Sequence, residues 1–84
     1  MLKYLVESMK LLTYEEGSDV FKQGQPGSKF YIIAEGELEV IINSQKAALL
    51  VRGNSFGELA LINDAYRSAT IHCATGAQLW TLDR

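Results

Sequence analysis

An 84-residue chain with eight Lys and Arg against ten Asp and Glu has room for one small domain and a formal charge of −2. That balance excludes a nucleic-acid backbone as the expected partner, because phosphodiester recognition needs a clustered basic face. Hydrophobic residues at 48% and charged residues at 21% match an ordinary globular domain, and one domain spanning residues 1–84 is expected. Cys73 is the only cysteine, so no internal disulfide can form, and its neighbours Ile71 and Ala74 predict a buried, unreactive thiol. A cytoplasmic location is expected, since the first residues lack the apolar run of a secretory signal and no window approaches a membrane span.

In chain order, Leu2, Leu5, Val6, Met9 and Leu12 recur at helical spacing and predict a short amphipathic helix over residues 1–12. From residue 13 the rhythm changes to short strands and turns. Runs rich in β-branched and aromatic residues predict strands at 20–21, 30–33, 38–42, 48–51, 69–72 and 78–82. Turn signals separate them, at Gly17, Gly24, Gly27, Gly36, Asn43-Ser44, Gly53 and Gly76, and the glycines carry no expected role beyond turning the chain. Residues 30–42 read as a tight hairpin, with Gly36 supplying a positive φ at its turn. Closely spaced short strands point to a mainly β fold, a small antiparallel barrel or sandwich occupying residues 13–84.

One segment breaks this rhythm. Residues 57–62 hold good helix formers and predict about one and a half turns of helix. The first amides of such a helix have no internal partners and, with the positive end of its dipole, suit a phosphate oxygen. Gly57 allows close approach to the backbone, Glu58 can accept hydrogen bonds from a ligand hydroxyl, and Arg67 can offer a guanidinium to an anion. Together these groups describe a receptor for a sugar phosphate.

The run Phe56-Gly57-Glu58-Leu59-Ala60-Leu61-Ile62, followed by Arg67-Ser68-Ala69-Thr70-Ile71, resembles the phosphate-binding cassette of cyclic-nucleotide-binding domains. The flanking segments 21–33, 36–40 and 79–84 are similar to strands of the same domains in cyclic-nucleotide-dependent protein kinases, so the likeness runs from about residue 12 to the end. The resemblance implies a jelly-roll barrel with cassette 56–70 and a short phosphate-binding helix. It implies that Glu58 accepts from the ribose 2′-hydroxyl and that Arg67 pairs with the cyclic phosphate. Backbone amides of Gly57, Leu59, Ala60 and Ala69 then complete the phosphate shell.

Ser68 bears on the choice of base. Relatives that respond to cGMP usually carry threonine there, those that respond to cAMP usually alanine, and bacterial cAMP-dependent regulators serine. The retained hydroxyl tilts the expectation toward cGMP, with cAMP as the alternative. Tyr66 departs from the proline common at its place. The family also continues beyond residue 84 into helices that close over the base, so a cradle without its lid is expected here. No cofactor other than the cyclic nucleotide is implied; the expected partners are a kinase catalytic domain and neighbouring domains of the same kind.

Competing readings are weaker. Glu58 and Arg67 could form an ordinary surface pair. His72 lacks companions for a metal or catalytic site and reads as a strand residue, which disfavours a cupin-like metalloenzyme. Glu35, Glu37 and Glu39 alternate as one solvated face, Trp80 reads as core, and no serine has a histidine arranged to activate it. A degenerate module serving only as an interaction domain would lack the equivalents of Glu58 or Arg67, and both are present.

Overall fold

The computed structural model describes residues 9–58 and 65–83. They form β1 (Lys10–Tyr14), β2 (Asp19–Phe21), β3 (Pro26–Gly27), β4 (Lys29–Glu35), β5 (Leu38–Ile42), β6 (Gln45–Leu50), β7 (Ser55–Phe56), β8 (Ala65–Tyr66), β9 (Thr70–Cys73) and β10 (Ala77–Asp83). One sheet has the order β1-β10-β4-β7, a second β2-β9-β5-β6, and β3 pairs with β8 alone. Every ladder among the described residues is antiparallel, so the expected mainly β class is observed.

Alternation in β4, β9 and β10 turns Ile33, Cys73 and Leu79 fully inward between the two sheets, where Leu38 joins them from the start of β5. Tyr31, Phe56, Ile71 and Ala77 complete this core, with Tyr14, Val20, Phe21, Val40 and Leu50 packed against it. Burial pushes the Cys73 thiol above its ordinary pKa, which keeps it protonated and matches the unreactive thiol expected. Trp80 is only half-buried, because it lies on the opposite face of β10 from Leu79 and Thr81.

Two expectations need correction. Lys10, Leu11 and Leu12 belong to β1, so no helix reaches residue 12; residues 1–8 lie outside the described residues. Pairing with β10 decides the matter, because it sets Leu12 opposite Leu79 and Tyr14 opposite Ala77, an alternation that helical spacing would break. Nor is 30–42 a hairpin. β4 pairs with β10 and β7, while β5 pairs with β6 and β9, so the chain crosses from one sheet to the other at Gly36. Glu35, Glu37 and Glu39 consequently sit at the end of β4, in the crossing and in β5 rather than along one strand.

The hairpin of this region is β5–β6, whose turn residues Asn43 and Ser44 both have positive φ (51° and 66°), the geometry that matches strand twist in a two-residue turn. Gln23 clasps that turn, accepting from the Asn43 amide at 2.9 Å and donating to Asn43 Oδ1 at 3.1 Å.

The Gly36 crossing tolerates no side chain. Its φ is +107°, and an added Cβ would lie 2.7 Å from Ala77 Cβ and 2.8 Å from the Gly76 carbonyl oxygen. Gly36→Ala is therefore expected to cost about 2–4 kcal/mol, combining backbone strain with overpacking. Urea unfolding should show a lower midpoint at unchanged slope, and a loss below about 1 kcal/mol would contradict this account of the crossing.

Candidate functional site

The site is organised around Arg67. Its backbone is held on both sides by the 24–25 turn: its amide donates to the Gln25 carbonyl and its carbonyl accepts from the Gly24 amide, each at 2.8 Å. The neighbouring β3–β8 pairing, Pro26 opposite Tyr66 and Gly27 opposite Ala65, fixes the direction in which the chain enters this position. So held, the Arg67 side chain runs inward and is only 9% exposed, although arginine is rarely buried without a partner.

Four chain segments form the slot around the guanidinium. Nη2 donates to the Lys29 carbonyl at 2.8 Å. The guanidinium carbon stands 4.1 Å from the centre of the Phe21 ring, well within cation–π range. A Cβ on Gly27 would overlap Nε, and one on Gly57 (φ +83°) would lie 2.8 Å from Nη1. Phe21 is itself oriented by Tyr31 and Phe56, with ring centres 6.0 and 5.8 Å away. Burial pushes the Tyr31 phenol above its ordinary pKa, with the charge of Arg67 pulling it partly back, so this aromatic wall is neutral at pH 7.

The slot does not satisfy Arg67. Nε is buried without a hydrogen-bond partner among the described residues. Glu58 does not supply one: among the described residues the only lysine or arginine within ion-pair distance of a carboxylate is Lys46, beside Glu39, so the surface-pair reading of Glu58 and Arg67 fails. A buried cation with free donors costs several kcal/mol unless an anion reaches it.

Beside Arg67 lies a cavity of about 320 Å³, in the range of small-ligand sites. Phe21, Val40, Leu50, Phe56 and Ile71 give it an apolar wall, while Ser55, Gly57, Glu58, Arg67 and Ser68 contribute its polar groups. Glu58 and Ser68 are exposed to solvent, Ala69 is buried at the edge, and Tyr66 is 77% exposed at the rim. The structure thus brings Gly57, Glu58, Arg67, Ser68 and Ala69 to one cavity. Leu59 and Ala60, with the remainder of the predicted helix, lie outside the described residues. An apolar wall facing a cation, a carboxylate and a hydroxyl suits a ligand with a flat hydrophobic part, hydroxyls and a single anionic group.

His72 lies in β9, where its Nδ1 is 2.7 Å from Asp19 Oδ1 on β2, a cross-strand pair on the sheet surface. Sequence reasoning missed Phe21, Gly27 and the Lys29 carbonyl. Gly27 reads as a turn residue, whereas it leaves the space that the guanidinium fills. Only its place two residues beyond the turn at Gly24-Gln25, inside a strand, hints that a neighbour approaches closely.

The family model for the cyclic nucleotide-binding domain matches residues 11–84. The chain belongs to this family. This cyclic nucleotide-binding domain is 43% identical over 76 residues to a cGMP-dependent protein kinase of Plasmodium berghei (strain Anka), covering 90% of the chain and 9% of that kinase. It is 40% identical over 81 residues to a cGMP-dependent protein kinase of Toxoplasma gondii, covering 95% of the chain and 8% of the kinase. Among solved structures, cAMP-bound PfPKA-R superposes with a TM-score of 0.87 at 31% identity, over 93% of this chain and 28% of that one. The chain thus spans less than a tenth of the curated relatives it matches.

Because a Cβ on Gly27 would overlap the guanidinium, Gly27→Ala should displace Arg67. Cyclic-nucleotide affinity is expected to fall about tenfold or more, equivalent to about 1.4 kcal/mol. Titration calorimetry alongside thermal melting would show it, and unchanged affinity in folded protein would refute the steric argument.

Proposed function

We propose that this cyclic nucleotide-binding domain holds its ligand's cyclic phosphate against Arg67, prefers cGMP, and through that binding controls a serine/threonine protein kinase. The observation that carries the proposal is the buried Arg67 guanidinium, held by no carboxylate among the described residues, lining an open cavity with Glu58 and Ser68. A cyclic phosphate in that cavity would pair with the Arg67 guanidinium, in a site where a charge-assisted bond is strong. Glu58, solvent-exposed at the same cavity, accepts from the ribose 2′-hydroxyl. Amides of Gly57, Leu59, Ala60 and Ala69 share the phosphate charge. The chain acts as a regulatory module in this reading, and catalysis belongs to a kinase domain elsewhere in a longer protein, as similarity to two cGMP-dependent protein kinases suggests.

For the base, Ser68 lines the cavity and offers one hydroxyl to a purine edge. That single bond contributes about 1 kcal/mol, enough for a preference and too little for exclusion. The likeness to a cAMP-bound structure supports cAMP as the second reading.

Titration with cGMP and cAMP separates these possibilities. Arg67→Ala is expected to weaken both ligands by about 2–4 kcal/mol, because it removes the charge-assisted partner of the phosphate. Binding that survives Arg67→Ala unchanged would sink the proposed anchor. Ser68→Ala should cost cGMP more than cAMP, by up to about 1 kcal/mol, and an equal loss would remove the argument for cGMP.

A further inference from the structure

Resting on the reading of Arg67 as the phosphate anchor, we infer that Phe21 is a positioning residue, whose aromatic face holds the guanidinium in its binding geometry. The other groups that define the slot are backbone: the Lys29 carbonyl and the bare Cα positions of Gly27 and Gly57. One carbonyl fixes one nitrogen, and the glycines give room without attraction. The Phe21 ring, 4.1 Å from the guanidinium carbon, supplies the attraction across the slot. Away from water, the negative face of an aromatic ring holds a cation well and leaves every N–H free to donate. A carboxylate in the same place would instead occupy those donors and neutralise the charge that the phosphate needs.

The ring is also prevented from turning away. Tyr31 and Phe56 are stacked with centres 5.0 Å apart, and Phe21 packs against both at 6.0 and 5.8 Å. Tyr31 and Phe56 are buried core residues paired across β4 and β7, so the orientation of Phe21 is inherited from the core of the fold. Phe21 therefore connects the packing between the sheets to the aim of Arg67.

Replacing Phe21 with phenylalanines bearing one, two and three ring fluorines tests this in the full chain, because fluorination drains the ring face while nearly keeping its shape. Affinity for cGMP and cAMP is expected to fall stepwise, to about tenfold for the trifluorinated ring, with the melting temperature nearly constant. The same series in an Arg67→Gln background should be flat. Constant affinity across the series in the native background would overturn the inference. So would an equal decline in both backgrounds, which would mean that the ring touches the nucleotide directly. If Arg67→Gln alone binds as tightly as the unaltered chain, the anchor reading itself fails, a result distinguishable from failure of the Phe21 role. Should Arg67→Gln prove unfolded, the Arg67 Nε–Hε nuclear magnetic resonance of the native chain decides instead. Stacking predicts a resonance displaced upfield by the ring, returning toward the free-arginine position in Phe21→Leu; an undisplaced resonance would refute it.

Discussion

A positive charge buried with no carboxylate partner among the described residues is the constraint on which this structure turns. Arg67 is nine-tenths removed from water, yet among the described residues its guanidinium has one carbonyl acceptor, and Nε has none. Isolated burial of an arginine is costly, so the fold must offset it locally. It does so with weak, non-neutralising contacts: an aromatic face, a carbonyl dipole and space left by two glycines. None of these consumes the charge. A structural ion pair in its place would be more stable alone and would leave the guanidinium nothing to offer an anion.

The barrel topology makes such a slot possible. Phe21, Gly27, Lys29 and Gly57 are spread over 37 positions of sequence, counting from 21 to 57, and Arg67 lies beyond them all. They converge because β2 belongs to one sheet, β4 and β7 to the other, and β3 with β8 to a small third ladder. The crossing at Gly36 links the two large sheets, and the turn at Asn43-Ser44 sets the register of β5 with β6 inside one of them. Stability and site geometry are consequently coupled, in a chain too short to have much of the former to spare.

The strands β2, β4, β5, β9 and β10 are legible in the sequence, because each contains a run of β-branched or aromatic residues bounded by turn formers, and β6 shows through its apolar end Ala47-Ala48-Leu49-Leu50. β1 is not, since Met9 and Leu12 continue a helical spacing and only the partner strand β10 reveals the competing alternation of Leu12 and Tyr14. The two-residue strands β3, β7 and β8 are too short to show any period. The mistaken hairpin at 30–42 has a different origin: a positive-φ glycine between two strands marks a sharp change of direction, not which partner each strand will take. Glu58, Arg67 and Ser68 could be singled out because their chemistry is written in their side chains. Gly27 and the Lys29 carbonyl act through an absent Cβ and a backbone oxygen, features that no residue-type argument assigns before the fold is known.

The same asymmetry bears on how a bound anion would be felt elsewhere. A ligand shifts a conformational equilibrium only as far as it prefers one state over another. In a site whose cation already had a full set of partners, a phosphate would exchange one set of bonds for another and discriminate little between states. Here, among the described residues, the guanidinium has no carboxylate partner, so an anion placed beside it would gain most while the slot is assembled. Within the proposed reading, phosphate binding therefore favours the arrangement in which β2, β3, β4 and the segment after β7 are all in place around Arg67.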